Sequence, residues 1–456
     1  MSESEPDFSR IPSIQKIDRY LKDRGLRFGR EKRERINAIL NQIRDDRKML
    51  AKPSVTQEEL LQYIERRIAS NSQGTTPVIN GTGTIIHTNL GRSVFSRELF
   101  DEIGEAATSY INLEFSLKTG KRGARLGNVA ELLKTLTGAE EAVIVNNNAA
   151  AVLLILTAFA AGREVIVSRG ELVEIGGSFR IPEVIEVSGA KLVEVGTTNR
   201  TRVRDYRDAV SEKTAAILKA HTSNFAIVGF VESVDTPELK ELSRTHGLLL
   251  VEDIGSGALV ESSFSQLNSD PLVSSILQEG ADIVAVSGDK LIGGPQSGII
   301  LGKRHYLDRL RRHPLYRALR CDKLTMLLLE KTLLAYVRNR QELLIPTQRM
   351  LNEAENIVKK RVGRITEGIA SDCLEPIKCH STPGGGSLPG MTIPSWGIRL
   401  KKKGWSENRI LDYCRASDPP VIGRILNGSV ILDCRTILDR QIPALQKMLI
   451  DFSALE

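Results

Sequence analysis

The sequence contains no apolar run long enough to cross a membrane. Its longest apolar run, residues 149–161, falls well short of the roughly 20 residues that a membrane-spanning helix needs. Residues 1–7 are acidic and polar, whereas a signal peptide begins with basic residues followed by an apolar stretch. We therefore expect a cytoplasmic protein with no membrane partner.

Cysteine is scarce, and its spacing does not indicate a metal site. The chain has five cysteines, an odd number, and no Cys-x-x-Cys pair. Cys379 and His380 are neighbours, but two further ligands at short spacing are lacking. We expect reduced, mostly buried thiols and no metal ion. Aromatic residues are also few, at 5%, while the 41% hydrophobic and 26% charged residues are typical of a globular protein of 456 residues with two to four domains.

The positive charge is concentrated in two places. The net charge is +7, and residues 11–70 hold 15 Lys or Arg against 9 Asp or Glu. A second basic stretch, residues 303–323, has eight Lys or Arg against two Asp. Such runs are usually solvated helix faces, and the alternative is contact with a nucleic acid.

Hydrophobic periodicity predicts three regions along the chain. Residues 14–70 repeat apolar side chains at three- and four-residue steps, which predicts helices, with Thr56 and Glu59 placed as a capping box. Residues 71–77 are typical of a linker. Apolar, β-branched runs then alternate with helix-length segments, which predicts a mostly parallel sheet buried on both faces. These runs are residues 142–145, 164–168, 191–195, 215–219, 248–252, 283–287 and 298–301.

The predicted class is α/β, with a smaller domain at the C-terminus. A helical stretch from about residue 324 leads to strand-like residues 392–400 and 430–433 and a helix over residues 441–452. We therefore predict a small helical N-terminal domain with its linker (1–72), a large α/β domain (73–325) and a C-terminal α+β domain (326–456).

Three segments carry the chemistry that this fold class would place at one sheet edge. Lys290 follows an apolar strand and precedes two glycines, and a lysine shielded from water can deprotonate and bond to an aldehyde. Asp253 ends another buried run, where an aspartate can pair with a protonated pyridine nitrogen. Asn146, Asn147 and Asn148 open a helix whose free N–H groups can bind phosphate. Spacing alone leaves open a solvent lysine in a turn and a capping aspartate. The frame of a P-loop is lacking.

At these residues the chain closely resembles the bacterial selenocysteine synthases, the L-seryl-tRNA(Sec) selenium transferases. The resemblance rests on VSGDKLIGGPQSGII at residues 286–300 and extends over nearly the whole chain. Further matching segments are residues 80–92, 145–154, 168–182, 194–201, 221–224, 420–424 and 432–435.

The resemblance implies a fold type I enzyme dependent on pyridoxal 5'-phosphate. Lys290 would hold the cofactor and remove the seryl α-proton, and Asp253 would keep the ring protonated. The other cofactor-binding residues that it implies are Asn146, Asn147, Asn148, Ser223 and Ser287. The reaction would remove the β-hydroxyl of L-seryl-tRNA(Sec) and add selenium from selenophosphate.

The resemblance also implies binding partners and an assembly. Arg92, Arg317 and Arg320 would bind the anionic selenophosphate, and Arg424 would either meet the substrate or form a structural ion pair. The N-terminal domain would bind seryl-tRNA(Sec), with no DNA partner. The enzyme would be a homo-oligomer built from dimers, by resemblance a decamer.

Two other functions remain as alternatives. A pyridoxal phosphate lyase acting on a free small amino acid or amino sugar would have no use for the basic helical N-terminal region. A catalytically dead RNA-binding protein would be expected to lack Lys290 or Asp253, and both residues are present.

Overall fold

The computed structural model describes residues 7–24, 32–45, 56–70, 75–123, 125, 127–175, 179–222, 224–269, 271–369 and 371–455. The chain divides into two compact units, Met1–Pro77 and Val78–Glu456. The second unit contains both the large and the C-terminal regions, so their separation at residues 325 and 326 stays a prediction. Within the described ranges, no helix combines the length and the apolar character that a membrane span requires.

The first unit is built from short amphipathic helices. They are α1 (Ile14–Asp23), α2 (Lys32–Asp45) and α3 (Gln57–Ser70), preceded by a 3-10 turn at Phe8–Arg10. The buried residues are those of the predicted apolar stripes: Ile17, Leu21, Ile36, Ile39, Leu40, Ile43, Leu60, Leu61 and Ile64. The capping box is confirmed, because Glu59 Oε2 accepts from Thr56 N at 2.8 Å and Thr56 Oγ1 accepts from Glu59 N at 3.2 Å.

The strands of the second unit are short except near the C-terminus. In chain order they are β1 (Ile79–Asn80), β2 (Thr84–Ile86), β3 (Phe115–Ser116), β4 (Lys121–Arg122), β5 (Glu141–Val145), β6 (Glu164–Ser168), β7 (Glu174–Ile175), β8 (Phe179–Arg180), β9 (Lys191–Val195), β10 (Thr214–Ala220), β11 (Leu249–Gly255), β12 (Ile283–Ser287), β13 (Gly298–Gly302), β14 (Leu374–Gly384), β15 (Ile393–Leu400), β16 (Val421–Ile422), β17 (Arg424–Leu426) and β18 (Ser429–Asp433).

Helices separate most of these strands. They are α4 (Arg97–Asp101), α5 (Gly104–Thr108), α6 (Gly127–Thr137), α7 (Asn148–Ala160), α8 (Ile181–Val187), α9 (Val203–Asp208), α10 (Thr236–His246), α11 (Val273–Gln278), α12 (Arg304–Arg312), α13 (Pro314–Leu319), α14 (Lys323–Val337), α15 (Gln341–Leu344), α16 (Pro346–Asn352), α17 (Glu355–Thr366), α18 (Glu407–Ala416) and α19 (Ile442–Ala454). Short 3-10 turns lie at Thr88–Leu90, Arg169–Glu171, Ser265–Ser269, Cys434–Thr436 and Asp439–Gln441.

A seven-stranded sheet forms the centre of the second unit. Its order is β5-β13-β12-β11-β10-β6-β9, and only β13 runs antiparallel to its neighbours. These strands are the seven predicted apolar runs, with ends shifted by at most three residues. The sequence prediction of an α/β fold with a mostly parallel sheet is confirmed.

The sheet is buried on both faces. Alternate residues of the same strands belong to two different apolar clusters, for example Val143 and Val145 to one and Ala142 and Ile144 to the other. Helices α7 and α12 contribute to the first cluster, and α6 and α14 to the second. This arrangement leaves the ends of the strands as the accessible edge of the sheet.

A second sheet joins the two ends of this unit. Its order is β17-β18-β15-β14-β2, and β2 runs parallel to β14 with Thr84 opposite Thr382. Likewise β1 pairs with β16. Residues 79–86, which we predicted in the large domain, therefore pair with C-terminal strands. We did not predict β14, whose two prolines are unusual for a strand in the interior of a sheet.

Candidate active site

Lys290 and Asp253 lie at the carboxyl ends of two neighbouring strands. Strand β12 ends at Ser287, three residues before Lys290, and β11 carries Asp253 next to Ala285 of β12. Because parallel strands present their carboxyl ends at one edge, the two side chains lie near each other. Both are buried, with 4% of Lys290 and 5% of Asp253 exposed. The expected sheet-edge location of both residues is therefore observed.

Asp253 pairs with the first residue of helix α7. Asn148 donates from Nδ2 to Asp253 Oδ1 at 2.7 Å. Burial raises the pKa of the Asp253 carboxyl, while the hydrogen bond from Asn148 and the charge of Lys290 act in the opposite direction. Asn148 Oδ1 is buried and accepts no hydrogen bond. The pair therefore holds a buried carboxyl and an acceptor without a donor, and a ligand with a cationic N–H group would satisfy such groups.

The other two asparagines have different surroundings. Asn147 caps helix α7, since its Oδ1 accepts from Ala150 N at 2.8 Å. Asn146 is exposed, and its backbone N–H donates to Leu319 O at 2.8 Å. The backbone N–H of Asn146 and the side chain of Asn147 thus already have structural roles, and Asn148 is the asparagine that reaches Asp253.

Glycines allow the segments around Lys290 to approach closely. Gly386 has φ +77°, and a Cβ atom there would lie 2.6 Å from Lys290 Nζ. A Cβ atom at Gly298 would lie 2.1 Å from Asn147 O. Only glycine fits against the backbone at Gly298, whereas a side chain at Gly386 would push the Lys290 amine aside. The loop after β14 therefore covers the lysine, and strand β13 approaches the start of α7.

Sequence reasoning missed this cover over the lysine. Residues 384–386 form a run of three glycines, and such a run signals close backbone approach. The run of glycines does not indicate which residue is approached, and Lys290 lies nearly 100 positions earlier in the chain. Ser387, next to the run, is buried and its Oγ makes no hydrogen bond.

Arg92 contacts the residue directly before Lys290. Its Nη1 lies 2.7 Å from Asp289 Oδ2, and Ser93 Oγ donates to Asp289 O at 2.8 Å. Arg92 has φ +57°, a conformation that is uncommon for a residue with a side chain. Arg92 is therefore held next to Lys290 by its ion pair with Asp289. The sequence did not indicate Asp289 as a residue of this candidate site.

Arg317 and Arg320 lie on either side of Leu319, whose carbonyl oxygen accepts from Asn146 N. Arg320 Nη1 is 3.3 Å from Glu114 Oε1, and Arg317 is exposed. Among the contacts of the residues described, none joins Arg92 to Arg317 or Arg320. A common anion site of these three arginines within one chain is not seen, and their grouping stays a prediction.

Arg424 forms an ion pair inside the C-terminal sheet. Its Nη2 is 3.1 Å from Oδ2 of Asp433, which is fully buried and also accepts from Ser381 and Ser395. The guanidinium further donates to His380 O at 2.6 Å. These contacts match the structural alternative that we considered for Arg424.

Of the last two predicted cofactor-binding residues, Ser287 and Ser223, the structure describes only Ser287. Ser287 ends β12 and is buried. Ser223 lies outside the residues that the structure describes. Across the ranges that are described, no group of His, Cys, Asp and Glu side chains is arranged to hold a metal ion.

A cavity of about 370 Å³ is lined by Glu171 and His221, and the sequence did not predict it. His221 Nε2 is 3.2 Å from Glu252 Oε2, and its backbone N–H donates to Asp253 O at 2.9 Å. Glu171 accepts from Ala220 N, and burial raises its pKa to about 7. His221 therefore joins this cavity to Glu252 and Asp253 of strand β11.

Comparisons with known proteins show the following similarities. The family described as L-seryl-tRNA selenium transferase matches residues 78–438. An L-seryl-tRNA(Sec) selenium transferase of Geobacter sulfurreducens is 44% identical over 452 residues, covering 96% of this chain and 97% of that protein. One of Alkaliphilus oremlandii is 43% identical over 417 residues, covering 89% of each. Among solved structures, a D-glucosaminate-6-phosphate ammonia-lyase matches with a TM-score of 0.61 at 19% identity, over 84% of this chain and 98% of the other. That likeness concerns the fold alone.

Proposed function

The chain belongs to the L-seryl-tRNA selenium transferase family, and from this premise we propose how its residues perform the reaction. It is a pyridoxal phosphate-dependent transferase of fold type I that converts L-seryl-tRNA(Sec) to L-selenocysteinyl-tRNA(Sec). The reaction removes the serine hydroxyl and adds selenium at the same carbon. The relatives favour this function over the lyase alternative, because they match at 43% to 44% identity over most of the chain.

The residues at the sheet edge fit pyridoxal phosphate. The buried Asp253 needs a cationic partner to stay charged, and Asn148 Oδ1 lacks a donor. Gly386 leaves room at the Lys290 amine that any other residue would fill. When bound, the cofactor supplies an electron-withdrawing ring that stabilises negative charge next to an amine. Lys290 would hold it, and Asp253 would pair with its ring nitrogen.

The remaining cofactor contacts are part of the same proposal. The start of α7 would offer the N–H groups of Asn147 and Asn148 to the phosphate, with Asn146, Ser223 and Ser287 as further proposed contacts. Burial keeps water away from this edge, so that proton transfer occurs between substrate and protein. Lys290 Nζ is the group that takes the proton from the seryl α-carbon.

Selenophosphate is the proposed selenium donor. Arginines recognise phosphate oxygens through a planar fork of N–H groups. Arg92 is paired with Asp289, the residue directly before Lys290. Arg317 and Arg320 are the other proposed donor ligands, and Arg92 would join them from a different subunit of the oligomer. Arg424 is assigned to the ion pair with Asp433.

The basic helical unit is the proposed tRNA-binding domain. We assign seryl-tRNA(Sec) binding to residues 1–72, the cofactor to residues 73–325 and the smaller domain to residues 326–456. The support is the excess of positive charge in residues 11–70, which suits the phosphate backbone of RNA. We further propose a decamer built from dimers, located in the cytoplasm, where its aminoacylated tRNA substrate is made and used.

The burial of Lys290 beside the Asn148–Asp253 pair is the observation that carries this proposal. The test incubates the purified chain with pyridoxal phosphate, seryl-tRNA(Sec) and selenophosphate and analyses the amino acid released from the tRNA. Selenocysteine is expected with the native chain, and none with Lys290→Ala. Borohydride reduction and peptide mapping should label Lys290, and a label on another lysine would overturn the assignment.

A further inference from the structure

Three arginines hold the carboxylate of Glu114. Arg125 Nη1 lies 2.7 Å from Glu114 Oε1, and Arg122 Nη2 lies 2.7 Å from Oε2. Arg320 Nη1 approaches Oε1 at 3.3 Å. The hydrogen bond from Arg125, together with that from Arg122, lowers the pKa of Glu114, so it is an anion at neutral pH.

The charges in this cluster do not balance. Three guanidinium groups face one carboxylate, which leaves two positive charges without a partner inside the cluster. The nearby Arg311 does not add to this excess, because Glu141 lies 2.8 Å and Asp308 3.3 Å from it. The side chain of Arg125 is only 16% exposed, and its Nε is buried with no acceptor. Such a donor is costly unless an additional acceptor arrives.

A cavity adjoins the carboxylate. It has a volume of about 220 Å³, and Arg122, Arg125 and Arg320 all line it. Gly127, the first residue of α6, also lines it, so the positive end of that helix points to the same space. A space with room beyond one carboxylate, surrounded by donors and positive charge, suits a tetrahedral oxyanion.

We propose that this cavity is a phosphate-binding site in which Glu114 is the internal anion that an arriving phosphate group displaces. A phosphate group has more charge and more acceptor oxygens than a carboxylate, so it satisfies the arginines better. Glu114 then acts as a specificity residue, because weaker anions do not replace it. Whether the phosphate belongs to the selenium donor or to the RNA backbone rests on the proposed function, and the chemistry of recognition is the same in both.

Displacement of Glu114 has a structural consequence. Glu114 immediately precedes the hairpin of β3 and β4, whose residue Phe115 is opposite Arg122. The bonds from Arg125 and Arg320 are the links that join this carboxylate to the rest of the unit. We expect the hairpin to lose that anchor when phosphate binds.

The test measures binding of inorganic phosphate to the full chain loaded with its cofactor, by calorimetry at low salt. Glu114→Gln removes the competing charge and is expected to tighten phosphate binding about tenfold or more, since hydrogen bonds to charged groups have this weight. Glu114→Asp should bind like the native chain, and Arg125→Gln should bind at least tenfold more weakly than Glu114→Gln. Glu102→Gln is the matched control, because its carboxylate pairs with Lys331 and does not line the cavity.

A second arm uses uncharged tRNA(Sec) in place of phosphate. A gain with inorganic phosphate identifies a small phosphate donor, and a gain with tRNA alone identifies the RNA backbone. No gain for Glu114→Gln with either ligand overturns the proposal. Hydrogen exchange on the unaltered chain is an independent check, since phosphate should speed exchange in residues 115–122, and unchanged exchange would contradict the displacement.

These outcomes are separate from those for the proposed function. If the native chain forms selenocysteinyl-tRNA(Sec) while Glu114→Gln binds phosphate as the native chain does, only the inference about Glu114 fails. If phosphate binding tightens as expected while no selenium is transferred, the anion site stands and the proposed function fails.

Discussion

Asn148 and Asp253 lie 105 positions apart in the chain and share a hydrogen bond of 2.7 Å between Nδ2 and Oδ1. The bond joins the first residue of helix α7 to the buried strand β11. It lowers the pKa that burial of Asp253 raises, and so favours the charged carboxylate. The charge of the residue that we assign to the cofactor ring thus depends on an amide from another part of the sheet edge.

Asn148→Ala should therefore weaken cofactor binding. Without the amide, the pKa of Asp253 rises further and less carboxylate is present at neutral pH. A hydrogen bond to a charged group contributes about 1.5 to 3 kcal/mol, so the dissociation constant of pyridoxal phosphate should rise about ten- to a hundredfold. A titration followed by visible absorbance measures it. Asn128→Ala is the control, since Asn128 is exposed and its amide bonds to Glu330. Equal affinity of both variants would contradict the role of Asn148.

Gly386→Ala should displace the Lys290 side chain. A methyl group there would lie 2.6 Å from Nζ, closer than nonbonded atoms approach. Gly390→Ala is a matched control, because Gly390 has nearly the same φ, +76°, and nothing within 4 Å. We expect loss of borohydride labelling at Lys290 in the first variant and its retention in the second. A similar loss of labelling in both variants would show that backbone strain, and not the contact with Lys290, causes the effect.

A chain beginning at Val78 should bind seryl-tRNA(Sec) at least about tenfold more weakly than the full chain. The unit removed holds the excess of basic residues, and contacts to phosphates release counterions on binding. Filter binding over a range of salt concentrations measures the affinity and its slope against salt. The slope should be steeper for the full chain. Equal affinities and slopes would show that the RNA is bound by the second unit.

Stability should fall with rising pH because of Glu171. Burial raises the pKa of this carboxyl from 4.5 to about 7, so the folded chain keeps a proton that the unfolded chain releases. The stabilisation is complete below about pH 4.5 and is lost as the pH rises through about 7, with an upper limit of about 3 kcal/mol. The increase in Tm caused by Glu171→Gln should be larger at pH 8.5 than at pH 5.5. A constant or reversed difference would contradict the raised pKa.

The sequence predicted those parts of the fold that depend on local patterns. All seven strands of the central sheet were predicted from apolar runs, because a strand buried on both faces has few polar residues to obscure it. The core residues of the first unit followed from three- and four-residue steps in the same way.

Contacts between distant segments could not be predicted in this way. Nothing local indicates that Gly386 covers Lys290, that Arg92 pairs with Asp289, or that Glu114 meets Arg320. Strand β14 was missed for a different reason, since its prolines contradict the local rule for strands while its partners on both sides hold it in the sheet.

The pairing of β2 with β14 fixes an order of events during synthesis of the chain. Thr84 leaves the ribosome early, yet its partner Thr382 is made 298 residues later, and Gly83 N donates to Thr436 Oγ1 over a separation of 353 residues. Contacts over such separations are slow to form, because a long loop must close first. The central sheet can assemble while translation continues, but the segment that carries Arg92 waits for the last strands. A nascent chain therefore completes the proposed active site only after residue 382 has been made.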